Sequence, residues 1–160
     1  MRLTLLAATA ALALAFGVSG ARAASPANAL VIGTQLSAVP SLDPAAINAR
    51  TVSEIISNLY DNLVMVTPDD LQTIRPMLAE SWTVSDDKRS ITLTLRQGAT
   101  FASGNPVTAE DAAWTIQRVV KMGQVGSTDI ALWGFTKDNV DQLVQAKDER
   151  TLVISLPQPV

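Results

Sequence analysis

Between Ser90 and Arg96 apolar and polar residues alternate strictly: Ile91, Leu93 and Leu95 against Thr92, Thr94 and Arg96. A period of two predicts a strand with one face buried and the other wet. Trp82 to Ser85 precedes it across the polar connector Asp86 to Arg89, so the two runs read as a hairpin. A second hairpin is predicted where Val140 to Ala146 and Thr151 to Leu156 flank Lys147 to Arg150. Two further strands are expected. One is the buried run Ala29 to Gln35, and the other is Leu63 to Val66, ended by a turn over Thr67 to Asp70.

Helical spacing occurs twice. Val52, Ile55, Ile56, Leu59 and Leu63 fall on one face behind Thr51 and Glu54, which have the spacing of a capping box. Ala112, Ala113, Ile116, Val119 and Val120 form the second apolar face. Thr108 is placed to cap that helix, Glu110 and Asp111 bring negative charge to its first turn, and Gly123 and Gly126 end it. Pro76 to Ser81 is expected to make one helical turn with proline leading. Leu36 to Ala46 contains Pro40 and Pro44 and must be irregular. The stretch joining strand to capped helix holds Gly98, suited to a positive φ, then Phe101 as an expected core anchor and a Gly104-Asn105-Pro106 corner.

The opening of the chain changes the picture from fold to compartment. Arg2, the apolar run Leu3 to Val18 and the small-residue exit Ala21-Arg22-Ala23 have the form of a secretory signal peptide. The apolar run is shorter than the roughly 20 residues that span a bilayer. Residues 1–23 are therefore expected to be removed, leaving a single domain over 24–160. The chain contains no cysteine, so neither a lipid anchor at that cleavage point nor a disulfide is expected. Without Arg2 and Arg22, the twelve basic residues become ten against fifteen acidic ones, a net charge of about −5. Such a balance argues against nucleic acid or anionic lipid as a partner.

Histidine is absent as well. A Ser-His-Asp triad, a cysteine nucleophile and the usual zinc sets are unavailable, and no metal site is expected. Glu80, Glu110 and Asp111 remain as candidates for acid–base work, but a helix start and an exposed turn account for them. The pairs Asp69-Asp70 and Asp86-Asp87 read as solvated turn residues, with no calcium-loop motif around them.

The segments "PMLAESW" and "ITLTLRQGATFASGNPVTAEDAAWTIQR" together resemble the signature of family 5 extracellular solute-binding proteins, the dipeptide and oligopeptide receptors of ABC importers. The matching positions are Leu78, Ala79, Trp82, Leu95, Arg96, Gly98, Phe101, Gly104, Pro106 and Thr108 to Asp111. "SLDP" at Ser41 to Pro44, "NLYDNLV" at Asn58 to Val64 and "TLVISLPQP" at Thr151 to Pro159 follow the family in order. Ala102 and Ser103 depart from it, since histidine followed by a polar residue is frequent there in the family.

The resemblance implies an α/β chain (mixed α+β), a periplasmic-binding-protein-like lobe with a mixed sheet and hairpins. It also implies a two-lobed, type II receptor of which 24–160 would supply the start of the first lobe and most of a small subdomain, truncated at the C-terminus. The implied function is non-enzymatic: a monomeric periplasmic receptor, without a cofactor, that binds peptides and delivers them to the permease subunits of an ABC importer. Thr34, Gln35, Leu36 and Trp133 are the ligand-binding candidates implied; Trp133 could equally be a loop anchor in the core. Nickel chelate, glutathione or haem are alternative solutes within the family. A carboxylate-based exported hydrolase and a non-binding fragment are the readings from other classes.

Overall fold

A computed structural model describes residues 26–33, 39, 41–46 and 50–159, the side chains of Arg50 and Thr51 excepted. The chain divides into two units, Met1–Thr34 and Gln35–Val160. In the first, a turn at Ala27 and Asn28 is closed by the Ala29 N–H donating to the Pro26 carbonyl at 2.9 Å. The strand expected from Ala29 is not formed over its described part, 29–33. Leu30, Val31 and Ile32 are exposed there. Among the described residues no strand pairs with this run, and an apolar sequence without a ladder partner has no reason to stay extended and buried.

The second unit begins with helix α1 (Arg50–Ile56), followed by hairpin β1 (Val64–Thr67) and β2 (Asp70–Pro76). Then come β3 (Ala79–Val84), β4 (Ser90–Leu95), α2 (Ala109–Met122), a 3-10 turn (Val125–Ser127) and the short α3 (Thr128–Ala131). The last elements are α4 (Val140–Leu143), β5 (Val144–Ala146) and β6 (Thr151–Ser155). β1 and β2 form a two-stranded ribbon, and the other four strands make one sheet in the order β3-β4-β6-β5. Every described pairing is antiparallel.

Register turns the alternation seen in the sequence into a core. Val84, Ile91, Ile154 and Val144 stand in one cross-strand row, and Trp82, Leu93, Leu152 and Ala146 in the next. The row between them, Thr83, Thr92, Val153 and Gln145, belongs to the opposite, polar face. α2 covers the apolar face against β5 and β6, contributing Ala109, Ala113 and Val120 to a cluster with Leu93, Leu95, Val144 and Leu152. Two polar contacts fix it there: Gln117 donates to the Val144 carbonyl at 2.8 Å, and the Ala109 N–H donates to the Glu149 carbonyl at 2.8 Å.

The start of α2 follows the reading at Thr108 and adds to it. Thr108 Oγ1 accepts from the Asp111 N–H at 3.3 Å, and the Asp111 carboxylate accepts from the Thr108 N–H at 2.9 Å, closing a reciprocal capping box. Gly123, in left-handed conformation, ends the helix.

Other expectations need correction. Pro76 to Ser81 is extended, because Ala79 pairs with Leu95 and the Ala79 N–H donates to Leu63 at 2.8 Å. Pro76 itself ends β2, where a missing N–H is tolerated. Thr51 lies inside α1, which starts no later than Arg50 and stops at Ile56, leaving Leu59 exposed. Phe101 is not a core anchor: it is half-exposed, and its loop closes through backbone bonds between Phe101 and both Asn105 and Gly104. Val140 to Leu143 makes a helical turn before the second hairpin begins.

Candidate functional site

The candidate site is built around Trp133, at the end of a short segment that leaves α2 and returns to the sheet. The 3-10 turn Val125–Ser127 runs directly into α3, with Ser127 Oγ donating to the Gln124 carbonyl at 2.7 Å. The Trp133 N–H donates to Ile130 at 3.1 Å and the Gly134 N–H to Ala131 at 2.9 Å, so the helical path persists until Gly134. There φ is +85°, a conformation that favours glycine, and the chain reverses beside Pro157. Asn139 locks the return by donating to the Gly134 carbonyl at 3.1 Å and accepting from the Thr136 N–H at 2.7 Å.

This path places Trp133 and Ile130 beside Ile91, Ile116, Phe135, Ile154 and Leu156 around an apolar depression of about 250 Å³. Phe135 is buried beneath it, whereas Trp133 is 51% exposed. Trp133 is thus half-exposed at the rim of an otherwise apolar wall. Thr34, Gln35 and Leu36, the other three ligand-binding candidates, lie outside the described residues.

At the other end of the segment an ion pair fixes the chain entering the unit. Arg118, on α2, makes a two-pronged contact with Asp43, at 3.0 Å from Nη1 to Oδ1 and 2.6 Å from Nη2 to Oδ2. Asp43 Oδ1 also accepts from the Ala45 N–H at 3.0 Å, and Ser41 Oγ accepts from the Asp43 N–H at 3.0 Å. The Arg118 guanidinium lies 5.8 Å from the centre of the Trp114 ring, within cation–π range. The hydrogen bond from Arg118, and then that from Ala45, hold the Asp43 carboxyl below the usual carboxylate range; Asp43 in turn raises the proton affinity of Arg118. Sequence reading gave no signal for this pair, whose members stand 75 residues apart.

Of the three carboxylates considered for catalysis, Glu80 and Asp111 are engaged in structure, whereas Glu110 is exposed in the first turn of α2. Glu80 lies in β3 rather than in a turn and pairs with Arg150 at 2.7 Å, and Arg150 Nε donates to the Leu95 carbonyl at 2.8 Å. Asp111 belongs to the capping box. Asp70, Asp87 and Asp148 each accept backbone N–H groups within their own turns. Those contacts lower their carboxyl pKa: for Asp70 and Asp87 bonds to the Thr73 and Ser85 side chains lead, and for Asp148 the Arg150 N–H does. Among the described residues no three Asp or Glu side chains gather as a metal-ligand set.

In its fold the chain resembles solved periplasmic binding proteins. The solved murein tripeptide binding protein MppA of Escherichia coli shares it with a TM-score of 0.65 and 32% identity, over 75% of this chain and 25% of that one. Residues 73–160 match the family described as bacterial extracellular solute-binding proteins, family 5 middle, and the chain belongs to that family. It is 36% identical over 152 residues to the probable D,D-dipeptide-binding periplasmic protein DdpA of Escherichia coli K12, covering 93% of this chain and 28% of the relative. It is 31% identical over 131 residues to the probable deoxycholate-binding periplasmic protein YgiS of the same organism, covering 75% of this chain and 24% of the relative. The chain thus spans about a quarter of the length of these curated relatives.

Proposed function

We propose that this chain is part of a periplasmic receptor that binds peptides and passes them to the permease subunits of an ABC importer. The observation that carries this reading is membership of the solute-binding family together with relatives named for dipeptide and murein tripeptide binding. In the proposed role the protein is a monomer that catalyses nothing, and its work is done by affinity. Residues 1–23 act as a cleaved export signal, so the exported protein starts at Ala24. Thr34, Gln35, Leu36 and Trp133 contact the solute.

The depression beside Trp133 fits one side chain of such a ligand. Its volume of about 250 Å³ lies below the roughly 300–1,000 Å³ typical of a pocket for a whole small molecule. Its walls are aliphatic and aromatic, so the side chain it suits is apolar, with the exposed half of Trp133 as a stacking face. One open wall also implies weak binding by this stretch on its own, because small ligands are ordinarily enclosed over most of their surface.

A second reading has a specific observation in its favour. An all-apolar wall, and a relative named for deoxycholate binding, suit an apolar solute as well as a peptide. Ligand-dependent thermal stabilisation of the protein expressed from its own gene separates the two, using di- to pentapeptides in one arm and bile acids in the other. Stabilisation by peptides supports the first reading. Stabilisation by bile acids alone would replace it with the second, and stabilisation by neither would remove both.

A further inference from the structure

The segment that carries Trp133 is held at two glycines, and one of those points of attachment is controlled from a distance. A Cβ on Gly126 would come within 2.7 Å of the Ala45 carbonyl oxygen and 2.8 Å of that of Pro44. Real Cβ atoms do not approach backbone so closely, so the strap Ser41 to Ala46 rests directly on the 3-10 turn. Ala45, 1% exposed, is the buried point of that contact. At the far end, a Cβ on Gly134 would crowd Pro157 at 3.2 Å. Between the two glycines run α3, Ile130 and Trp133. Within the segment Ile130 packs on the core, whereas Leu132 is 81% exposed.

Gly134 is secured by Asn139 and the sheet end, but the strap that secures Gly126 is itself secured by the Asp43–Arg118 pair. The side chain of Asp43 closes the strap onto itself through the Ala45 N–H and onto α2 through both guanidinium nitrogens. Arg118 is kept in place by Trp114 one helical turn earlier. We infer that Arg118 and Asp43 are positioning residues for the solute wall: their clasp, acting through the strap and Gly126, holds the Trp133 segment against the apolar depression. The chain of contact runs from α2 to Asp43, to Ala45, to Gly126, through α3 and on to Trp133. Each link is a hydrogen bond, a close backbone approach or a covalent helical turn. A wall held this way opens when the clasp opens and leaves the sheet beneath it intact. The use of the wall by a solute rests on the function proposed above; the clasp itself needs no solute to be observed.

Backbone hydrogen exchange, followed residue by residue in the apo protein, tests this independently of any ligand. Local opening exchanges only the amides that it frees, whereas a loss of overall stability speeds every protected amide that exchanges through global unfolding. In Asp43→Asn the amides of Ser127, Trp133 and Gly134 should exchange faster by about tenfold, while those paired in the β4–β6 ladder, around Leu93 and Leu152, should keep their rates. Arg118→Lys keeps the charge but not the two-pronged contact, and should give the same pattern at smaller amplitude. Gly126→Ala should reproduce it without touching either charge, and the reversed pair Asp43→Arg with Arg118→Asp should restore part of the protection. Unchanged exchange at Ser127, Trp133 and Gly134 in the three disruptive variants would overturn the inference. So would acceleration there that only equals that of Leu93 and Leu152, since it would reduce the clasp to a general stabiliser. Solute affinity is not read in this experiment, so its failure leaves the proposed receptor function standing and the reverse also holds.

Discussion

Replacing Thr108 by alanine removes two contacts of its side chain at once. The hydroxyl oxygen no longer accepts from the Asp111 N–H, and the hydroxyl no longer donates to Asp111 Oδ2, 2.8 Å away. The bond from the Thr108 N–H to the same carboxylate, at 2.9 Å, survives. The lost cap bond is long, at 3.3 Å, so the cost falls near the middle of the range for N-cap deletions, at about 1 kcal/mol. Thr108→Ser keeps the oxygen and should be nearly neutral. Asp111→Ala removes the other half of the box and a first-turn negative charge, for a similar cost of about 1 kcal/mol. The hydroxyl–carboxylate contact is lost in both single variants, so the double variant should cost less than their sum by about 0.5 kcal/mol. Urea unfolding with linear extrapolation reads the four variants against wild type, and 1 kcal/mol moves the midpoint by roughly 0.5 M for a slope near 2 kcal/mol/M. Equal losses for Thr108→Ser and Thr108→Ala, or a strictly additive double variant, would refute the capping box as the device that starts α2.

Other outcomes follow from the same contacts. Leu152 is fully buried between Leu93 and Ala146, so Leu152→Ala should lower stability by about 2–5 kcal/mol in the same unfolding assay. The Asp43 carboxyl is depressed in the folded chain, so its contribution to stability is complete above the unfolded value of about 3.9 and lost as pH falls through the lower folded value. Wild type should therefore exceed Asp43→Asn in stability at pH 7, with the gap narrowing below about pH 4, as followed by thermal unfolding across the acid range. N-terminal sequencing of the exported protein should return Ala24 from the soluble periplasmic fraction; intact Met1 in membranes would contradict the proposed export signal.

What could be read from the sequence was whatever local chemistry alone decides. The alternation of Ile91, Leu93 and Leu95 against threonines fixed the inner face of the sheet. Thr108 before two acidic residues announced a helix start, because a cap and its first turn lie within a few residues; the reciprocal bond from Asp111 came only with the structure. Pro76 to Ser81 was misread for the opposite reason: its local preference favoured a turn, but ladder partners at Leu63 and Leu95 decide its shape from elsewhere in the chain. Phe101 shows the same limit, since an aromatic in a loop says nothing about which surface lies opposite it. Of the candidate site, Trp133 was singled out; Ile91 and Ile116 were read as core-facing and Ile154 and Leu156 as part of a strand, none of them joined to it. Only the return of the chain at Gly134 brings them together. The Asp43–Arg118 clasp could not have been found by pattern, because neither residue stands in a spacing that refers to the other.

Titration calorimetry decides whether the proposed receptor takes peptides. The protein purified from expression of its own gene is titrated with a mixed library of di- to pentapeptides, then with single members, and in parallel as Trp133→Ala. Saturable, single-site binding at micromolar or tighter affinity is expected, weakened about tenfold or more by Trp133→Ala through loss of a stacking face. Absence of saturable heat with every peptide, from protein whose unfolding remains cooperative, would contradict this expectation.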